Sequence, residues 1–361
     1  MVVIGACVAP STDQHAKAKV WFECVEEMVF GDEDFCFEAS ALGSQNSDHQ
    51  SQKCMVEAIQ AAYIVCLYQN WEGGDASRRR IRRYRFSNLV SIVRDTIAGT
   101  SESERNDETS LDSSFNWIDF TLREELTRTF LWIFLLDTCF VIFNNLPPRM
   151  VTKELRMRMA SPESCFQAET AEDCAEAFRE WTSHTSQEVR VSLHEAIQIF
   201  CSGDLSPSSC NGFAKLGPLN LFVMISAFHI LIFQRMNSFG DDGNLGAIHN
   251  ALHNWRAVWE LYVHKYSTEP PHAMVECNST RLHLHDMWRR VGFTRHAHEF
   301  WLLANLLTQR MDHNLVRRSD HLEQGPHDRG VDMDPVLSEF DQNNMQQVNE
   351  LIASFENARI M

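Results

Sequence analysis

Residues 121–148 read TLREELTRTFLWIFLLDTCFVIFNNLPP, and this stretch decides the fold. It opens as an amphipathic helix: Glu124 and Glu125 lie near the positive helix N-terminus, and both reach Arg128 at helical spacing. From Phe130 to Phe143 it is apolar on nearly every side, the mark of a helix buried among other helices. Asn144–Asn145 and then Pro147–Pro148 end it, because the residue before a proline avoids the α region. Asp137 lies inside the apolar run, and a buried carboxylate must be paired or hydrogen-bonded. Its expected partners lie in the following Asn-Asn-Leu-Pro-Pro-Arg turn, with Arg149 as a candidate. Residues 121–143 are expected to be the most buried helix, with Phe130, Phe134 and Phe140 in the core.

Working outward, the same periodicity recurs along the chain. Residues 15–30 read as a helix, with Val20, Trp21, Cys24, Val25 and Met28 on its apolar face and Gly31 at its end. Residues 52–71 form a second helix closed by Gly73–Gly74. Residues 76–98 form a third, opening on a run of arginines above the stripe Ile81, Phe86, Leu89, Val90 and Val93. Residues 99–114 are acidic and Ser/Thr-rich, and read as a mobile loop. Later helices are expected at 171–182, 187–202, 218–236, 244–266, 280–291, 294–311 and from Asp334-Pro335 to about residue 358, with Pro218 at a favoured first position. No strand pattern competes, so the fold class is all-α, an array of about a dozen helices. The Ser/Pro/Gly cluster at 203–217 reads as a linker between an N-terminal half, 1–202, and a C-terminal half, 218–361, packed on the first.

The balance of 32 basic and 49 acidic residues gives a net charge of −17. Such a body does not grip nucleic acid by its backbone, which requires a basic surface. The 11 cysteines are scattered and no Cys-x-x-Cys occurs, so free thiols in a reducing compartment are expected. Residues 1–10 do not form a secretory signal. Two apolar runs, 130–143 and 219–233, fall short of the roughly 20 residues of a spanning helix and read as core, with no membrane partner.

Candidate sites are few. Arg78, Arg79, Arg80, Arg82, Arg83 and Arg85 form a basic run that suits nuclear import or phosphate contact, set against a plain solvated helix face. His249 and His253 have the i, i+4 spacing of a metal pair. His283 and His285, like His296 and His298, point to different helix faces, and no His-Glu-x-x-His frame occurs. No metal, cofactor or catalytic residue is therefore expected. Gly240, Gly243 and Gly246 read as a turn, and Asp241–Asp242 lacks the third carboxylate of a metal-binding aspartate motif.

The order of several motifs resembles the fungal-specific transcription factor domain, the helical regulatory region found downstream of zinc fingers in fungal regulators. The resemblance rests on Glu125, Arg128 and Thr129, then Phe134 and Asp137, then Pro147 and Pro148. Residues 57–73, the basic segment 78–94 and residues 292–301 are also similar to it. It implies an all-α, non-enzymatic module in the nucleus, with a cytoplasmic pool. Its partners would be the transcription machinery or co-regulators, a second copy, or a small-molecule effector. Zinc is expected only in an upstream finger outside this sequence, as in a truncated gene model, a fragment or a protein that has lost its finger, and direct specific DNA binding is not expected. The other readings are an all-α secondary-metabolism enzyme and a helical adaptor unrelated to transcription. The first would need convergent carboxylates or an activated nucleophile, which the sequence does not offer.

Overall fold

A computed structural model describes residues 17–32, 35, 49–107, 115–156, 158–184, 191–238, 245–265 and 294–322. Expected elements at 280–291 and 334–358, and Asp241–Asp242, His283 and His285, lie outside the described residues. Within them are twelve α-helices: α1 Phe22–Phe30, α2 His49–Trp71, α3 Asp75–Arg80, α4 Phe86–Asp107, α5 Trp117–Asn144, α6 Glu163–Phe166, α7 Ala171–His184, α8 Leu193–Ser202, α9 Pro207–Lys215, α10 Pro218–Met236, α11 Gly246–Lys265 and α12 Ala297–Leu322. A π-helical turn, Ile81–Arg85, joins α3 to α4. One isolated bridge, Arg158 to Ser192, is the extent of β pairing among the described residues. The fold is all-α, as the absence of a period-two pattern dictates.

The chain divides into two compact units. One comprises Met1–Leu136, Arg149–Met157 and Ala168–Ala175; the other comprises Asp137–Pro148, Arg158–Gln167 and Glu176–Met361. The division falls within α5, between Leu136 and Asp137. Residues 203–217, read from sequence as a linker, contain α9. Ser206 caps that helix, its hydroxyl accepting from the Ser209 N–H at 3.1 Å, and Pro207 takes the first helical position. A Ser-Pro step that resembles a loop is thus a helix start, since proline lacks only a donor that the first turn leaves unused. Helix α4 runs on to Asp107, through residues expected to be a loop.

In the first unit, α1 packs on α2, and α2 on α3, the π turn and α4. Its interior holds Phe22, Val56, Ile59, Ile81, Phe86, Leu89, Val93, Phe130 and Phe134. In the second, α10 and α11 pack on each other and both on α12, and α8 and α9 lie against α11. Every residue of α10 from Leu219 to Ile230 is buried. That unbroken run exceeds the one in α5, where Trp132 is only half-buried, so α10 rather than α5 is the most enclosed helix. Both α5 and α10 are long and apolar enough to cross a membrane by length and composition, and 72% of the most apolar window of each is buried inside the protein. Each helix continues beyond the apolar run expected from sequence, 130–143 or 219–233, and so reaches a length that the run itself does not.

Helix α5 ends where expected. Asn145 takes φ 50°, a left-handed conformation that asparagine tolerates at a helix end. The Leu146 N–H returns to the Phe140 carbonyl at 3.2 Å.

Candidate functional site

The arginine run is the largest cluster of charge that the sequence offers, and the structure splits it in two. Arg80 and Arg85 turn inward onto Glu26, which has no exposed surface. Arg80 holds both carboxylate oxygens, Nε to Oε1 at 2.6 Å and Nη2 to Oε2 at 2.9 Å. Arg85 Nε donates to Oε1 at 3.1 Å, and Gln69 Nε2 to Oε2 at 3.1 Å. The π turn makes this sharing possible. The π turn is wider than an α-helical turn, so it brings residues five apart closer to one face, whereas a continuous α-helix would splay Arg80 and Arg85 further apart. Arg85 also donates to Glu27 Oε1 at 2.5 Å and lies over the Phe30 ring at 4.9 Å.

The surroundings fix the cluster. Gln69 sits in the last turn of α2, and Gly73 follows it so closely that a Cβ there would lie 2.3 Å from the Gln69 carbonyl oxygen. Only glycine permits that approach. Arg82 Nε donates to Asn70 Oδ1 at 2.8 Å. Arg149 donates to the Arg82 carbonyl and, at 3.3 Å, to Ser87 Oγ, and stands over the Phe86 ring at 5.5 Å. Burial alone would raise the Glu26 carboxyl, but the hydrogen bonds and charges of Arg80 and Arg85 outweigh it and hold the group below the usual carboxylate range. Burial, with the Glu26 charge nearby, pushes the Cys66 thiol far up, so this thiol is inert.

Arg79 and Arg83 point the other way and are exposed, with Tyr84 64% exposed beside them. Arg78 is half-buried, donating to the Trp71 carbonyl at 3.4 Å and meeting Asp75 at 3.5 Å. Sequence reasoning missed Glu26 altogether. Its signal was the spacing of Phe22, Glu26 and Phe30, which places a carboxylate in the middle of an aromatic stripe at i, i+4, i+8.

The signature residues of α5 occupy distinct settings. Arg128 Nε donates to Glu124 Oε1 at 2.8 Å, with side chains 11% and 6% exposed. Glu125 instead offers its backbone carbonyl to Thr129 Oγ1 at 2.7 Å, and Thr129 accepts from Gln60 Nε2 at 3.2 Å, tying α5 to α2. Asp137 is fully buried. Pro147 is exposed and Pro148 half-buried.

In the second unit the polar groups are mostly neutral and aimed at backbone. Asn220 of α10 donates to the Ala160 and Leu216 carbonyls at 2.9 Å each and accepts from the Ala160 N–H at 3.0 Å. His229 Nε2 lies 2.9 Å from the Phe300 carbonyl, and burial lowers its pKa to about 4. It is therefore neutral, with the proton on Nε2. Trp255 Nε1 donates to the Leu221 carbonyl at 2.7 Å. His249 meets Asp312 at 3.0 Å, on the half-exposed surface. His296 lies 3.9 Å from Glu299, and the His298 ring is 5.4 Å from that of Trp301. Among the described residues no three His, Cys, Asp or Glu side chains come together as a metal site.

Over an alignment of 364 residues covering the whole chain, the sequence is 45% identical to transcription factor verF of Penicillium polonicum. The chain spans about half of that relative, 48% of its length. No family model matches the chain, and no solved structure matches it.

Proposed function

We propose that these residues are a regulatory and interaction region of a fungal transcription regulator and perform no chemistry of their own. The observation that carries this reading is the 45% identity to transcription factor verF along the whole chain. The motif order at Glu125, Arg128, Asp137, Pro147 and Pro148, which resembles the fungal-specific transcription factor domain, supports it. So does the buried character of Asp137 and of the Glu124–Arg128 pair, which suits structural work better than catalysis. The region acts in the nucleus, on the transcription machinery or a co-regulator, with a small effector as a further input. Sequence-specific DNA contact belongs to a zinc finger outside these residues. Here the net charge is −17, and Arg80 and Arg85 of the one basic run are engaged with glutamates. What the run leaves for an import receptor is the exposed pair Arg79 and Arg83.

Two assays test this. The chain fused to an unrelated DNA-binding domain should change expression of a matched reporter, and Phe134→Ala, which empties the core of α5, should abolish the change. The isolated chain offered a random duplex library at physiological salt should enrich no motif. An inert fusion contradicts the regulatory role, and an enriched motif contradicts the division of labour.

A further inference from the structure

The sequence contains two Ser-Pro steps, Ser161-Pro162 and Ser206-Pro207, and no Thr-Pro step. In each, the proline disfavours helical backbone at the serine before it. Their surroundings differ. Ser161 is 7% exposed, and Pro162 is buried with it. Ser206, Pro207 and Ser208 are all exposed, and so is Asp204 ahead of them. Ser206 is extended, at φ −65° and ψ 151°. Asn254 anchors the approach to it, accepting from the Leu205 N–H at 3.1 Å and donating to the Gly203 carbonyl at 2.5 Å. The second step is thus a fixed, exposed serine with an exposed proline directly after it.

We propose that Ser206 is the phosphate acceptor of a proline-directed protein kinase. Such kinases take a serine only where proline follows, because the ring fills a small apolar depression beside the acceptor and brings no N–H to be left unpaired there. Ser208 and Ser209 fail this requirement, since neither precedes a proline, and burial excludes Ser161. In the transfer, the Ser206 Oγ attacks the γ-phosphorus of ATP. The Oγ–P bond forms, the bond from that phosphorus to the β–γ bridging oxygen breaks, ADP leaves with the electron pair, and the hydroxyl proton goes to the kinase's catalytic base.

The exposed dipeptide makes the site, and the helix after it determines what the phosphate does. The Ser206 Oγ accepts from the Ser209 N–H at 3.1 Å and lies 2.8 Å from the Ser209 Oγ. A phosphate on that oxygen stands at the positive end of α9, where the first N–H groups have no partner within the helix. Asp204 opposes it in part from two residues away. Modification keeps α9 helical and adds about two negative charges to the surface where α9 lies against α11. This inference does not depend on the role in transcription.

The full chain with magnesium ATP is offered, in separate reactions, to a purified mitogen-activated protein kinase and to a purified cyclin-dependent protein kinase. At least one should add a single phosphate, seen in the intact mass and placed on Ser206 by fragment masses. Ser206→Ala should lose it, and Ser161→Ala should keep it. Pro207→Ala retains the capping hydroxyl and suits the first helical position, yet it should lose the phosphate too, which separates kinase recognition from a folding defect. In the modified chain, amide exchange at Ser208 and Ser209 should slow. A chain that neither kinase modifies, a phosphate on Ser161 in place of Ser206, undiminished modification of Pro207→Ala, or exchange at Ser208 and Ser209 that does not slow overturns the proposal.

Discussion

The two units are closed by different kinds of polar chemistry. The first buries ionised groups: Glu26 between Arg80 and Arg85, and Glu124 against Arg128. The second is closed around α10 by neutral groups bonded to backbone, Asn220, His229, Asn254 and Trp255, with Asp137 as its buried carboxylate. A buried ion pair adds little net stability, because desolvation offsets its attraction, yet losing one partner is severe. A neutral amide or indole bonded to a carbonyl is cheaper to bury and less costly to lose. The first unit should therefore respond to charge changes and the second to volume changes.

The largest expected effect lies in the second unit. Phe228 is fully buried, and its ring lies 6.1 Å from that of Phe200. Phe228→Ala should cost about 3–5 kcal/mol in urea unfolding, with no dependence on salt. A cost under about 1 kcal/mol would mean that α10 is not the centre of this unit.

Next comes acid. His229 is neutral when folded, with a pKa of about 4 against 6.5 unfolded. Between those values the unfolded chain binds the extra proton, so stability falls as pH falls. The contribution is complete above about pH 6.5, and about 3 kcal/mol is lost by about pH 4. Glu26 acts in a lower window: its folded pKa is depressed, so its contribution is present above the unfolded carboxylate value of about 4.3 and is lost below it. Acid titration should weaken the second unit first, and His229→Gln should remove the upper step. An unchanged profile in that variant would break the distinction.

A smaller effect is expected at Asn254, whose side chain donates to the Phe200 carbonyl at 2.9 Å and accepts from the Leu205 N–H at 3.1 Å. Asn254→Ala should cost about 1–3 kcal/mol and raise amide exchange at Leu205. Unaltered exchange there would mean that water replaces the side chain without loss.

Much of this architecture was legible in the sequence, for reasons that also explain what was not. The bounds of α10 follow from Pro218 and the apolar run, and the end of α5 from Asn144 to Pro148, because proline and helix-ending asparagine act locally. Which face of α1 turns inward was not legible. Phe22 and Phe30 make a second apolar stripe, and the Glu26 between them is accommodated only by Arg80 and Arg85, 54 and 59 residues away, and by a π turn that no periodicity announces. The arginine run was read as one surface for the same reason. As for the candidate site, the burial of Asp137 and the Glu124–Arg128 pair were visible from helical spacing, while Glu26 was hidden because a lone glutamate among apolar residues looks like a solvated position.

The most direct test compares two double variants of the full chain. Arg80→Ala with Arg85→Ala leaves Glu26 buried without its cations and should cost about 3–5 kcal/mol in urea unfolding. Arg79→Ala with Arg83→Ala removes the same number of charges from the same run, at exposed positions, and should change stability by less than about 0.5 kcal/mol. Equal losses in the two, or no loss in the first, would contradict the division of the arginine run into an inward clamp and an outward pair.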